Sequence, residues 1–197
     1  MKIKDSLANA PIKKQTLRLI EIVNKNPNLF ILLNELSDFE FPWYLGAGCI
    51  NQTVWNYLTD RDITFGIDDY DFVYWDEKFS REKEVVLEKK LNDRFSGLKI
   101  QKIDVTNQAG VHTWFEEKFG KKIQSYENLE QAISTWPATA TCVGITNYRG
   151  VNGIVAPYGL SDLFGMVLRK NHPYAIEKVF LQKVEKWTSK WPELRVI

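Results

Sequence analysis

Three aspartates crowd into the segment Ile67-Asp68-Asp69-Tyr70-Asp71-Phe72-Val73-Tyr74-Trp75, which then turns wholly aromatic and branched. Carboxylates this close repel one another unless a cation lies between them. Side chains alternate faces along a strand, so Asp69 and Asp71 project together while Tyr70, Phe72 and Tyr74 seal the opposite side. Asp68 then points away and reads as a solvent or turn residue. The pair lies roughly 7 Å apart by the rise per residue. Two such carboxylates suit Mg2+, with Mn2+ as the alternative, a hard ion that takes oxygen ligands and shares its shell with substrate phosphates. A pair of such ions can clamp the entering and leaving oxygens of a phosphoryl displacement.

That chemistry calls for a third carboxylate and a place for phosphates. Asp104, in Lys102-Ile103-Asp104-Val105-Thr106, falls on a candidate neighbouring strand one helix later, with Ile103 and Val105 facing the other way. It is the third metal ligand or the base that deprotonates an attacking hydroxyl. Upstream, Gly46-Ala47-Gly48 joins a short apolar strand (43–45) to a helical pattern of Ile50, Val54, Trp55 and Leu58. Exposed amides and the positive end of a helix dipole favour an anion there. Gly46, Ala47, Gly48 and, one turn on, Asn51 are therefore the candidate nucleotide-binding set.

The rest of the chain must position these groups. With 197 residues, 44% of them hydrophobic, it can bury a core of its own and reads as one domain spanning 1–197. The 26 basic and 25 acidic residues leave a net charge of +1, so no global field recruits nucleic acid or an anionic membrane. No stretch resembles a secretory signal or a membrane span, which places the protein in the cytoplasm. Cys49 and Cys142 lack zinc or redox spacing and read as buried thiols.

Helices are expected from Pro11 to Asn26, with Ile12, Leu19 and Val23 as a partial apolar stripe, and then through Leu29, Leu32, Leu33 and Leu36. Further helices are expected over 81–95, in Val111-His112-Thr113-Trp114-Phe115 up to Gly120, over 128–136, in Ser161-Asp162-Leu163-Phe164 through Asn171, and over 175–187. His112 starts its helix as a backbone-bonded residue rather than a ligand. Asn107 and Gln108 either orient Asp104 or cap that helix. Strands are expected at 43–45, 70–75 and 98–105, with a late hairpin of 142–148 and 153–156 around Arg149-Gly150-Val151-Asn152-Gly153. The whole is α+β, a mixed β-sheet with helices packed on it, organised as a helical part (11–38), a catalytic core (about 43–110) and a helical and hairpin part (111–197). The segment from Arg169 onward carries seven basic against three acidic residues and reads first as a solvated amphipathic helix, with a phosphate-facing patch at Arg169 and Lys170 as the alternative.

The order of apolar strand, Gly-Ala-Gly turn, helix, Asp-x-Asp strand and later Asp resembles the catalytic core of the DNA polymerase beta type nucleotidyltransferase superfamily, which the head domains of CCA-adding enzymes share. The chain is more closely similar to a family of stand-alone bacterial nucleotidyltransferase-like proteins of undefined substrate. Their recurring motifs stand here as AGCI (47–50), DYDFVY (69–74), DVTNQA (104–109) and PYGLSDLF (157–164). The resemblance implies Asp69 and Asp71 as metal ligands, Asp104 as third ligand or base, Gly46 and Gly48 at the phosphate turn, and an NTP as substrate. Where the CCA-type motif has Arg-Asp, this chain has Asn51-Gln52. There is no room for the neck, body and tail that grip tRNA, so tRNA is a poor candidate acceptor. Two rivals stand beside this reading. One is a nucleotide-binding or interaction domain that keeps the fold without turnover. The other is an Asp-x-Asp phosphatase, against which the strand continues well past Asp71.

Overall fold

A computed structural model describes residues 6–172 and 174–197; the first five residues of the N-terminal segment read above lie outside that range. In chain order the elements are α1 (Ile12–Val23), α2 (Pro27–Glu35), β1 (Trp43–Gly46), α3 (Gly48–Leu58), β2 (Tyr70–Tyr74), α4 (Arg81–Arg94) and β3 (Ile103–Asn107). A 3₁₀ turn over Gln108–Thr113 leads to α5 (Phe115–Phe119) and α6 (Leu129–Ser134). Then come β4 (Gly144–Tyr148), β5 (Val151–Val155), α7 (Ser161–Phe164), β6 (Val167–Leu168), α8 (Glu177–Lys190) and β7 (Arg195–Val196). Five strands form one mixed sheet in the order β3-β2-β1-β4-β5, parallel only between β2 and β3, and β6 pairs with β7 apart from it. This is the expected α+β architecture.

Alternation divides the large sheet into two unlike faces. Trp43, Leu45, Tyr70, Phe72, Tyr74, Ile103 and Val105 are buried against the helices of the main core. Trp43 stacks on Phe72 at 5.5 Å between ring centroids, and Phe39 meets Phe72 edge-on at 5.1 Å. The opposite face carries Tyr44, Gly46, Asp71, Val73 and Asp104. A smaller cluster covers part of it, with Val73, Leu129, Ile133, Cys142 and Val155 at its centre and Trp136 at its rim.

Local chemistry sets the helix ends. Asn26 caps α2 by accepting from the amides of Asn28 and Leu29, with Pro27 in the first turn, and its own amide donates to Thr53 at 2.9 Å. The apolar stripe of α1 falls on Leu19, Ile22 and Val23, while Ile12 is 56% exposed. The helix α4 carries charge nearly all round, and it packs by an unusual device. Glu84 and Glu88 accept from the amides of Asn107 (2.7 Å) and Val105 (3.1 Å), and Asn92 bonds both the amide and the carbonyl of Ile103 at 2.9 Å. These three side chains, spaced i, i+4 and i+8, satisfy the outer edge of β3 as another strand would.

Several expectations shift. The strand expected at 98–105 begins only at Ile103, because Leu98 closes a turn on Phe95 and Asn92 seizes Ile103. The hairpin turn is the pair Arg149-Gly150, both with positive φ (52° and 75°), so Val151 and Asn152 belong to the strand and the loop is two residues. The helix expected from Ser161 to Asn171 stops at Phe164; Met166 takes φ 52° and the chain becomes β6. The helix expected from Val111 is a 3₁₀ turn followed by the five-residue α5, closed as expected by Gly120 at φ 69°. His112 is exposed in that turn. Both cysteines are buried and free, as expected. Among the described residues no helix is long and apolar enough to cross a membrane.

Candidate active site

The turn between β1 and α3 joins the two halves of the site. Ala47 holds φ 49° and ψ −126°, a conformation costly for a residue with a Cβ. That kink starts α3 at Gly48, directly beneath the carboxylates of Asp69 and Asp71. A methyl group built on Gly48 would stand 3.6 Å from Asp69 Oδ1, 3.9 Å from Asp71 Oδ2 and 2.9 Å from Gln52 Nε2. Asp69 and Asp71 thus converge on one point above a residue with no side chain, as their spacing predicts.

Gly46 has a different reason to be glycine. It pairs in register with Asp71, and the ring of Trp136 lies where its Cβ would be, 2.6 Å from Cη2. Trp136 is half-buried beside the acid face and forms a wall there. Nothing in the sequence marks it, since the contact joins residues ninety positions apart.

Asp104 stands in register beside Asp71 on the parallel neighbour β3, roughly one strand spacing away, about 4.8 Å. Its carboxylate is paired with Lys102, which also reaches Glu88 at 3.5 Å. Among the described residues no three Asp, Glu, His or Cys side chains gather closely enough to hold a metal. Asp69 and Asp71 converge, and Asp104 lies next to them with its charge turned to the lysine.

Electrostatics distinguish Asp71. Burial, and then the charge of Asp69, pushes its carboxyl up to about 7, against the attraction of Lys183 on α8. Burial likewise pushes the neighbouring Cys49 thiol up, so it is no nucleophile. An acid that keeps its proton near neutrality for want of positive charge, facing a second carboxylate across an open glycine, fits a divalent cation.

Asn51 and Gln52 are buried in the first turns of α3, and Asn51 Nδ2, Asn51 Oδ1 and Gln52 Oε1 have no hydrogen-bond partner. Asn51 is wholly enclosed, while Gln52 Nε2 reaches the mouth of the carboxylate pair. Asp68 is not a free solvent residue. It accepts from Lys190 at 2.8 Å and pairs with Lys186 at 3.1 Å. Burial opposes its ionisation, but those two hydrogen bonds outweigh it and hold the carboxyl below its usual range. The basic patch expected at Arg169 and Lys170 is neutralised by Asp162 and Glu177. The lysines that hold Asp68 come from α8.

This arrangement, a five-stranded mixed sheet with an acid pair over a kinked strand-to-helix turn, is the head-domain fold of nucleotide-adding enzymes. A solved structure described as a CCA-adding enzyme head domain matches with a TM-score of 0.75 at 25% identity, covering 96% of this chain and 98% of that one. A tRNA-processing enzyme in an apo form matches in fold with a TM-score of 0.51 at 14% identity; the match covers 91% of this chain and 44% of that enzyme's length. No curated protein matches the sequence. Residues 36–196 match a nucleotidyltransferase family, and the chain belongs to it, a family of enzymes.

Proposed function

We propose that the protein is a Mg2+-dependent nucleotidyltransferase that moves a nucleoside monophosphate from an NTP to the hydroxyl of an acceptor, releasing pyrophosphate. The observation that carries this is the convergence of Asp69 and Asp71 on Gly48, with the Asp71 carboxyl held near neutrality. Asp69 and Asp71 would hold Mg2+, or Mn2+ in its place, which supplies positive charge to the phosphate oxygens as the displacement proceeds. The acceptor oxygen bonds to the α-phosphorus, the bond from that phosphorus to pyrophosphate breaks, and the hydroxyl proton passes to Asp104. Asp104 reaches it by turning from Lys102, a rotation that its partial exposure of 33% leaves room for.

Transfer RNA is not the acceptor we favour. The test is transfer of label from an α-phosphate-labelled NTP onto acceptors in an extract. The expected result is label transfer that requires Mg2+ and is lost in Asp71→Asn. A second reading, nucleotide binding without turnover, draws on the pairing of Asp104 with Lys102 and on the uncharged Asn51-Gln52. Cation-dependent NTP binding with all label remaining in the NTP would favour it.

A further inference from the structure

The last long helix brings a cation to the acid face. Trp187 and Trp191 of α8 pack edge-on against Trp55 of α3, at 5.6 and 5.7 Å, and Trp191 Nε1 donates to Asn56 Oδ1 at 2.9 Å. Lys190 donates to the Gly66 carbonyl at 2.9 Å, and with Lys186 it clamps Asp68. The lysines at 183, 186 and 190 follow i, i+3, i+7 spacing and therefore share one face of the helix. The clamp at Asp68 aims that face at the start of β2, with Lys183 one turn beyond it.

Lys183 differs from its two neighbours. It is half-buried, its ammonium rests 5.1 Å from the centre of the Trp187 ring, and among the described residues no carboxylate forms an ion pair with it. It lies one turn back along α8 from Lys186, which pairs with the Asp68 next to Asp69. A lysine held on an aromatic ring, partly stripped of water and without an ion-pair partner, keeps its capacity to bind an anion.

We propose that Lys183 is a ligand of the polyphosphate of the nucleotide substrate, supplying from α8 the positive charge that Asn51 does not supply from α3. The inference rests on the site being a nucleotide site. An ammonium on a flexible stem suits a polyphosphate whose oxygens shift as the bond to pyrophosphate breaks. Lys186 and Lys190 serve a separate purpose, since their charges are spent on Asp68.

The test is titration of the wild type, Lys183→Met, Lys183→Gln and Lys183→Arg with Mn2+ alone, then with Mn2+ plus inorganic tripolyphosphate, each of the four ribonucleoside triphosphates, and the matching monophosphates. Lys183→Met and Lys183→Gln should each weaken triphosphate and tripolyphosphate binding about tenfold, one decade in dissociation constant. The monophosphates should lose less, Mn2+ alone should bind at least as well, and Lys183→Arg should restore most of the triphosphate affinity. Wild-type triphosphate binding that both neutral variants retain overturns the role of Lys183 while leaving the site reading intact. Absence of triphosphate binding by the wild type removes the site reading and this inference together.

Discussion

Asp71 carries the clearest consequence at the scale of single residues. In the unfolded chain its carboxyl titrates near the ordinary value of about 3.9, whereas in the fold it is pushed up to about 7, chiefly by burial. Between those two values the folded protein binds more protons than the unfolded chain, so metal-free stability falls as pH rises from about 4 to about 7 and levels off above. Asp71→Asn should flatten that slope and be no less stable than the wild type at pH 8. Urea unfolding across the range, in the presence of a chelator, checks it; an equally steep slope in the variant would contradict the assignment. The two glycines of the turn separate as cleanly. Gly46→Ala drives a Cβ against the Trp136 ring and to 3.0 Å from the Val143 carbonyl, and should cost about 1–3 kcal/mol of stability. Gly48→Ala meets only the movable end of Gln52, so it should fold with little loss while crowding the carboxylates. Denaturation midpoints of the two variants measure the difference. The acid pair was legible from the strand period alone. The separate reasons for the two glycines were not, because one depends on Trp136 and the other on carboxylates 21 and 23 positions further along the chain.

At the scale of elements, the third aspartate shows what periodicity can and cannot reach. That Asp104 shares a face with Asp71 follows from period-two alternation on two strands, and the parallel register bears it out. That Lys102 takes up its charge depends on where β3 begins, and the strand was expected five residues too early because residues 98–105 alternate well enough to suit one throughout. Glu84, Glu88 and Asn92 look like an exposed charged face in sequence, yet they bond the edge of β3. Glu84 is 1% exposed, and Glu84→Ala would leave the Asn107 amide buried without a partner. A loss of about 1–3 kcal/mol is expected from that orphaned group. Chemical denaturation of the variant measures it, and a cost near zero would mean that β3 holds its edge by other means. The early end of α7 and the strand β6 that follows it escaped the sequence for a plainer reason. A positive φ at Met166 ends a helix whose residues otherwise suit one.

Across the whole molecule, the site is built by segments far apart in the chain. A turn near residue 47 lies under the carboxylates, a strand near 104 sits beside them, Trp136 walls one side, and α8 folds back so that Lys186 and Lys190 hold Asp68 at the start of β2. The core was readable because apolar spacing is a local signal, and the fold class followed from the order of elements. The contribution of α8 was not readable: its lysines resemble those of any solvated helix until Trp187 and Trp191 anchor it on Trp55. The central claim is that Asp69 and Asp71 hold a divalent cation together with a nucleotide, and calorimetric titration with each of the four ribonucleoside triphosphates, with and without Mg2+, tests it most directly. Triphosphate binding should appear only with the cation and disappear in Asp71→Asn. Binding that ignores the cation, or that survives unchanged in Asp71→Asn, would contradict it.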